Sequence, residues 1–199
     1  EMVIQPQAVY DPRSDQTFIV YQGAGMHPYA MAYNHAKREW RGPYVIGMND
    51  LGTDTHGAPS LVIDAQGHLV VFYGGHLGSL SHARSKRAGD VAGWVDLGPV
   101  RVGSDETLIA ATYPQAVLEA DGAIRLYYRR DTTGPFRGDW ESIVSTPVVS
   151  GEYGWTDPEL VLDGSVFDSA EPTTTGTYWY ANIDHDVDRG PALAAVRRD

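Results

Sequence analysis

Apolar residues fall along this chain in short runs that come in pairs, each pair opened by a proline and closed by a tyrosine. The first pair is Pro6-Gln7-Ala8-Val9-Tyr10 and, after a turn through Pro12 and Ser14, Thr17-Phe18-Ile19-Val20-Tyr21. The second is Pro59-Ser60-Leu61-Val62-Ile63, the turn Asp64-Ala65-Gln66-Gly67, and Leu69-Val70-Val71-Phe72-Tyr73. The third is Pro114-Gln115-Ala116-Val117-Leu118, the turn Glu119-Ala120-Asp121-Gly122, and Ile124-Arg125-Leu126-Tyr127-Tyr128. A fourth copy opens at Pro172 and reaches Tyr178-Trp179-Tyr180. Such runs are too short for helices, rich in β-branched and aromatic residues, and bounded by Gly or Asp turns. They predict tight hairpins of adjacent strands.

A third strand is expected after each hairpin, at Tyr29–Tyr33, Leu80–Arg84 and Ser142–Thr146, and a fourth at Trp40–Ile46, Trp94–Val100 and Trp155–Leu162, each opened by tryptophan. Four strands recurring every 55 residues or about that describe an all-β fold, a β-propeller with four-stranded antiparallel blades. The blades fall at approximately 1–53, 54–108, 109–165 and 166–199, the last incomplete, in a single domain or a fragment of one. A generic β-sandwich would not explain the repeated order of Pro, turn, Tyr and Trp. Propellers close with about four to eight blades, and Pro191–Arg198 reads as an interrupted blade, so a fragment of a longer propeller is expected.

Composition narrows the partners. The chain has 199 residues, 26 Asp plus Glu against 15 Lys plus Arg, and a net charge of −11. Its few cations form no stripe, so neither nucleic acid nor an anionic membrane is expected as partner. No apolar run approaches the roughly 20 residues of a membrane-spanning helix, and Glu1-Met2-Val3 does not open a signal sequence. Cysteine is absent, which excludes disulfides, a thiolate nucleophile and Cys-ligated zinc, while leaving export open.

In a propeller, the loop entering the first strand of a blade and the loop leaving the second open on the same face. Residues just before the Pro and just after the Tyr are thereby neighbours. The second blade offers His56 and His76 there, and the third offers Tyr113 with Arg129 and Arg130. Arg130, Gln22 in the first blade, and Glu171 with Asn182 in the fourth are the substrate-contact candidates. This set suits β-elimination at a uronic acid. Arg neutralises the carboxylate that must carry developing charge, one of His or Tyr removes the C5 proton, and the other protonates the departing oxygen. Arg129 and Arg130 could equally be solvated or paired with Asp131. His27, His35, His68, His82 and His185 lack such convergence and read as surface or structural, and Trp40, Trp94 and Trp155 as blade-packing residues.

The stretch from Asp54 to His76, a hairpin flanked by paired histidines, together with Tyr113-Pro114-Gln115 and Leu126-Tyr127-Tyr128-Arg129, resembles the seven-bladed propeller polysaccharide lyases of the ulvan lyase and rhamnose–glucuronate lyase type. The resemblance, over about residues 1 to 185, implies a ring of which this chain holds about four blades. It also implies His56, His76, Tyr113 and Arg129 as catalytic positions, an acidic polysaccharide as substrate, and a secreted monomer. No cofactor is needed for the chemistry, and a structural metal, calcium or zinc, is implied without assigned ligands. A propeller glycoside hydrolase using two carboxyl groups among Asp54, Glu171 and Asp184, or a non-catalytic carbohydrate-binding propeller or fragment, stays open at this point.

Overall fold

The structure is a computed structural model that describes residues 7–49, 51–76, 78–103, 106–131, 138–145, 153–163, 178–186 and 190–198, the last two segments by backbone alone. Three four-stranded antiparallel sheets follow one another along the chain, each a simple meander. The first contains β1 (Gln7–Asp11), β2 (Gln16–Gln22), β3 (Pro28–Asn34) and β4 (Glu39–Val45). The second contains β5 (Ser60–Ile63), β6 (Leu69–Gly74), β7 (Leu80–Ser85) and β8 (Trp94–Pro99). After a small hairpin, β9 (Arg101–Val102) and β10 (Glu106–Thr107), the third is built from β11 (Ala111–Leu118), β12 (Ile124–Asp131), β13 (Gly138–Val144) and β14 (Glu159–Leu162). β15 (Tyr178–Asp186) and β16 (Gly190–Arg198) pair as a further hairpin. These sheets are the expected blades.

The strand period of two explains how the blades stack. In β5 and β6 all residues are buried, their side chains facing the neighbouring blades alternately. Leu61, Ile63, Leu69, Val71 and Tyr73 join Phe18, Val20, Ala30 and Ala32 in the core shared with the first blade. The alternate residues Val62, Val70 and Phe72 join Ile124, Leu126, Tyr128 and Ile143 in the core shared with the third. A one-residue slip would exchange the two sets, so the all-apolar run of the second blade specifies a central position. Side chains tie the innermost strands together: the Leu61 N–H donates to Gln7 Oε1 at 2.9 Å and the Ala116 N–H to Ser60 Oγ at 2.9 Å.

A carboxylate closes the first strand of each blade. Asp11 accepts from the Arg13 and Ser14 side chains, Asp64 from Arg84, and Glu119 from Arg125. Asp64 is buried and also accepts the hydroxyl proton of Tyr153 in the next blade at 3.0 Å, so it joins two blades as well as two strands.

Several features depart from the sequence expectations, among them the third strand of the third blade, which spans Gly138–Val144 instead of Ser142–Thr146. Trp155 does not open β14; it makes an isolated bridge to Ser145 and turns inward, its ring 5.6 Å from that of Phe72, because the interblade core accepts the indole. Trp40 is not a packing residue: it is 55% exposed on β4, an outer strand exposed along its length, with one face against Tyr33. The β9–β10 hairpin was not foreseen; it carries Val100, Val102 and Leu108 into the wedge between the second and third blades. In the fourth copy, Pro172 lies outside the described residues, and Tyr178–Tyr180 begin a strand rather than ending one.

Candidate active site

Two loops of the second blade and a bulge in the third build the site. Ahead of β5, Thr55–Gly57 form a 3₁₀ turn, and Asp54 caps it by accepting the His56 N–H on Oδ1 at 2.9 Å. Asp is favoured at such a position because its short carboxylate reaches back to a free backbone N–H. Beyond β6 the chain turns through Gly74 (φ 81°), Gly75 (φ 87°) and His76 (φ 61°), three successive left-handed residues. This turn touches the third blade: the His76 N–H donates to the Ala111 carbonyl at 3.0 Å. Gly75 permits the approach, since a Cβ there would lie 1.8 Å from the Ala111 oxygen.

Tyr113 lies where the β11–β12 register shifts, between Thr112 and Gln115, and its φ is 56°. A bulge of this kind redirects a side chain that regular pleating would have committed to one face. Non-glycine residues at positive φ cost free energy, and such outliers gather at functional sites; His76 and Tyr113 both fall in this group.

The side chains converge. The rings of His56 and His76 stack in parallel, centroids 4.0 Å apart and planes within 11°. Both Nδ1 atoms are in direct hydrogen-bond contact with Asp54, His56 on Oδ1 and His76 on Oδ2. The Tyr113 ring is 6.0 Å from that of His56. Behind it, the Arg129 guanidinium lies 4.8 Å from the Tyr113 ring centroid in a cation–π contact, and Arg129 is only 3% exposed. Burial by itself would raise the Asp54 pKa. The hydrogen bonds from the His56 N–H and both imidazoles, with the charge of His56, outweigh it and hold the carboxyl below its ordinary value.

The four expected catalytic residues therefore form one cluster. The substrate-contact candidates are placed differently. Arg130 points to the opposite face of β12 from Arg129 and pairs with Glu141 at 3.6 Å. Gln22 donates through Nε2 to the carbonyls of Met26, at 3.3 Å, and Asp54, at 3.2 Å, and so braces the histidine turn from the first blade. Asn182 is mid-strand in β15 opposite Ala194, and Glu171 lies outside the described residues. Asp54 is the residue that sequence reasoning missed as partner of the histidines. Its position two residues before His56, where a cap would stand, was the available signal.

Asp54, His56 and His76 are also the one group of three potential metal ligands found among the described residues. Both imidazole nitrogens bond the carboxylate directly, and the structural metal that the resemblance implied keeps no assigned ligands. Other histidines have separate tasks: His27 Nδ1 accepts the Asn49 N–H at 3.0 Å, and buried His82 stacks on Phe72 and bonds the Gly98 carbonyl at 3.0 Å.

Comparison with known proteins places the chain among relatives of one kind. The ulvan lyase of Alteromonas sp. (strain LOR) is 32% identical over 161 residues, which cover 70% of this chain and 31% of that protein. Among solved structures, a PL25 ulvan lyase superposes with a TM-score of 0.72 at 28% identity over 92% of this chain and 42% of its own. The same kind of enzyme bound to -[GlcA(1-4)Rha3S]- gives a TM-score of 0.69 at 27% identity, over 90% and 42%. The chain thus spans about a third of the length of the curated relative, and the expected likeness to ulvan lyase-type propellers is borne out. The model of the BNR repeat-containing family matches residues 16–141, across all three blades, and the chain belongs to that family.

Proposed function

We propose that the protein is a polysaccharide lyase that cleaves a uronic-acid-containing polymer of the ulvan or rhamnose–glucuronate kind by β-elimination. The observation that carries this reading is the stacking of His56 and His76 on one carboxylate, 6.0 Å from a tyrosine that is itself backed by a buried arginine. Substrate of the required chemistry is seen bound to a structural neighbour, whose ligand is a glucuronate–rhamnose sulfate unit.

In this reaction an imidazole of the pair takes the C5 proton on Nε2. The C5–H electron pair passes onto the uronate carboxylate and then forms the C4–C5 double bond as the C4–O bond breaks. The Tyr113 hydroxyl gives its proton to the departing oxygen, and exchange with water returns the enzyme to its starting state. Arg129 supplies positive charge beside the place where the carboxylate and the leaving oxygen become more negative, an effect strengthened by its burial. Because it stands behind Tyr113, it also holds that ring in place. Gln22 acts through Asp54 rather than on the sugar, and Glu171 and Asn182 are carried as substrate contacts by the repeat pattern alone. A polymer of this kind is met outside the cell, which supports reading the protein as secreted.

The glycoside hydrolase reading loses its leading carboxyl group, since both oxygens of Asp54 are engaged by imidazoles. Incubation with a rhamnose–glucuronate polysaccharide should generate the ultraviolet absorbance of a conjugated unsaturated uronate. Depolymerisation without that absorbance would overturn the proposal.

A further inference from the structure

Which nitrogen of an imidazole carries the proton is set by the hydrogen bond that the other one makes. In this site both Nδ1 atoms meet an ionised carboxylate, which can only accept. Each ring in its neutral form therefore carries hydrogen on Nδ1 and an unprotonated lone pair on Nε2, across the ring from Asp54. Parallel stacking at 4.0 Å then sets the two Nε2 atoms side by side.

We propose that Asp54 is the positioning residue of the elimination: its two oxygens fix His56 and His76 as a pair of Nε2 bases and stabilise whichever takes the C5 proton. The inference rests on the lyase reading above. It also explains why two stacked imidazoles are tolerated. Two positive rings 4 Å apart would repel by about 4 kcal/mol at an effective dielectric constant of 20, so one proton enters the pair per turnover, and the Asp54 charge balances it.

The surroundings hold Asp54 still in a way that a simple turn cap does not require. Its N–H donates to Leu51 O at 3.1 Å and its carbonyl accepts from Gln22 Nε2. Asn49, whose Nδ2 donates to Met26 O at 3.0 Å, lies against Gly57. Gly57 in turn lies against Gly74: a Cβ on it would meet the Gly74 Cα at 3.2 Å. The first blade, the histidine turn and the loop beyond β6 are thereby braced on one another around the carboxylate.

The variant Asp54→Asn separates positioning from capping, because Asn caps a turn as well as Asp does. Its amide offers one acceptor and one donor. One imidazole must then accept on Nδ1 and move its proton to Nε2, where it can no longer act as base. The expected result is a kcat lower by about 10²- to 10⁴-fold with KM within about twofold, the range seen when a base is lost or held in the wrong tautomer. The imidazole ¹⁵N spectra should show both rings protonated on Nδ1 in the wild type and one ring switched to Nε2 in the variant, with the melting temperature little changed. An Asn variant that keeps kcat within about threefold of wild type, or that loses it with both rings still protonated on Nδ1, overturns the proposal. A wild type that yields no unsaturated uronate overturns the lyase reading and this inference with it, whereas an active wild type with an unaffected variant overturns this inference alone.

Discussion

Gly75→Ala tests how the site is assembled. At φ 87° an L-residue is strained by about 1–2 kcal/mol, and the new Cβ would sit 1.8 Å from the Ala111 carbonyl oxygen. That atom belongs to a β-strand and cannot swing aside, so the loop must retreat by roughly 1.5 Å. The retreat breaks the hydrogen bond from the His76 N–H to the same oxygen, a further 1 kcal/mol or about that. The total is about 3 kcal/mol, which for a domain of this size lowers the melting temperature by about 6–12 °C. Catalysis suffers more, because His76 moves with the loop while Tyr113 does not. A displacement of this order costs about 10²-fold or more in kcat. Gly98→Ala is the control: its φ is 74°, yet nothing lies within 4 Å of the added carbon, so it should cost about 1–2 kcal/mol and leave kcat unchanged. Thermal unfolding and initial rates of double-bond formation read both quantities. Equal losses of kcat in the two variants, or a Gly75→Ala protein as active as wild type, would show that the loop does not position His76.

Two further outcomes concern stability. Asp64→Ala leaves the Arg84 guanidinium without its buried counter-charge and should cost about 3–5 kcal/mol in urea unfolding, whereas Tyr153→Phe removes one hydrogen bond to the same carboxylate and should cost about 1 kcal/mol. Burial pushes the His82 pKa from 6.5 down to about 4, against the smaller opposing effects of its bond to Gly98 and of Asp96. Because the unfolded chain takes up this proton more readily, the stability His82 contributes is full above pH 6.5 and is lost as pH falls towards 4, by about 3 kcal/mol in all. The difference in unfolding free energy between wild type and His82→Gln, measured from pH 7 to pH 4, should shrink by that amount; a constant difference would contradict it.

The parts of the fold that showed in the sequence are those where one interaction dominates. The hairpin from Ser60 to Gly74 was legible because burial on both faces demands an unbroken apolar run and the Asp64 turn demands Gly67. Strand ends were less legible: β11 begins at Ala111, before the proline that marked it, because Thr112 pairs with Arg129 across the bulge. Trp155 misled because a large ring serves an edge strand and an interblade core equally well, and β9–β10 is too short to carry a period. In the site, the convergence of His56, His76, Tyr113 and Arg129 followed from repeat position. The left-handed conformations of His76 and Tyr113, and the shared carboxylate of Asp54, depend on contacts between blades that no local pattern encodes. Gln22 and Arg130 stood at the expected positions but face Asp54 and Glu141, since strand alternation, not position along the repeat, decides where a side chain points.

The central claim is elimination rather than hydrolysis, and the fate of water distinguishes them. Digestion of a rhamnose–glucuronate polysaccharide in ¹⁸O-enriched water, followed by mass spectrometry of the oligosaccharides, measures it directly. β-Elimination yields fragments whose new non-reducing end is an unsaturated uronate, lighter by the mass of one water than the hydrolysis product, with no ¹⁸O introduced by the cleavage. Saturated fragments carrying one ¹⁸O per bond cleaved, at the new reducing end, would contradict it.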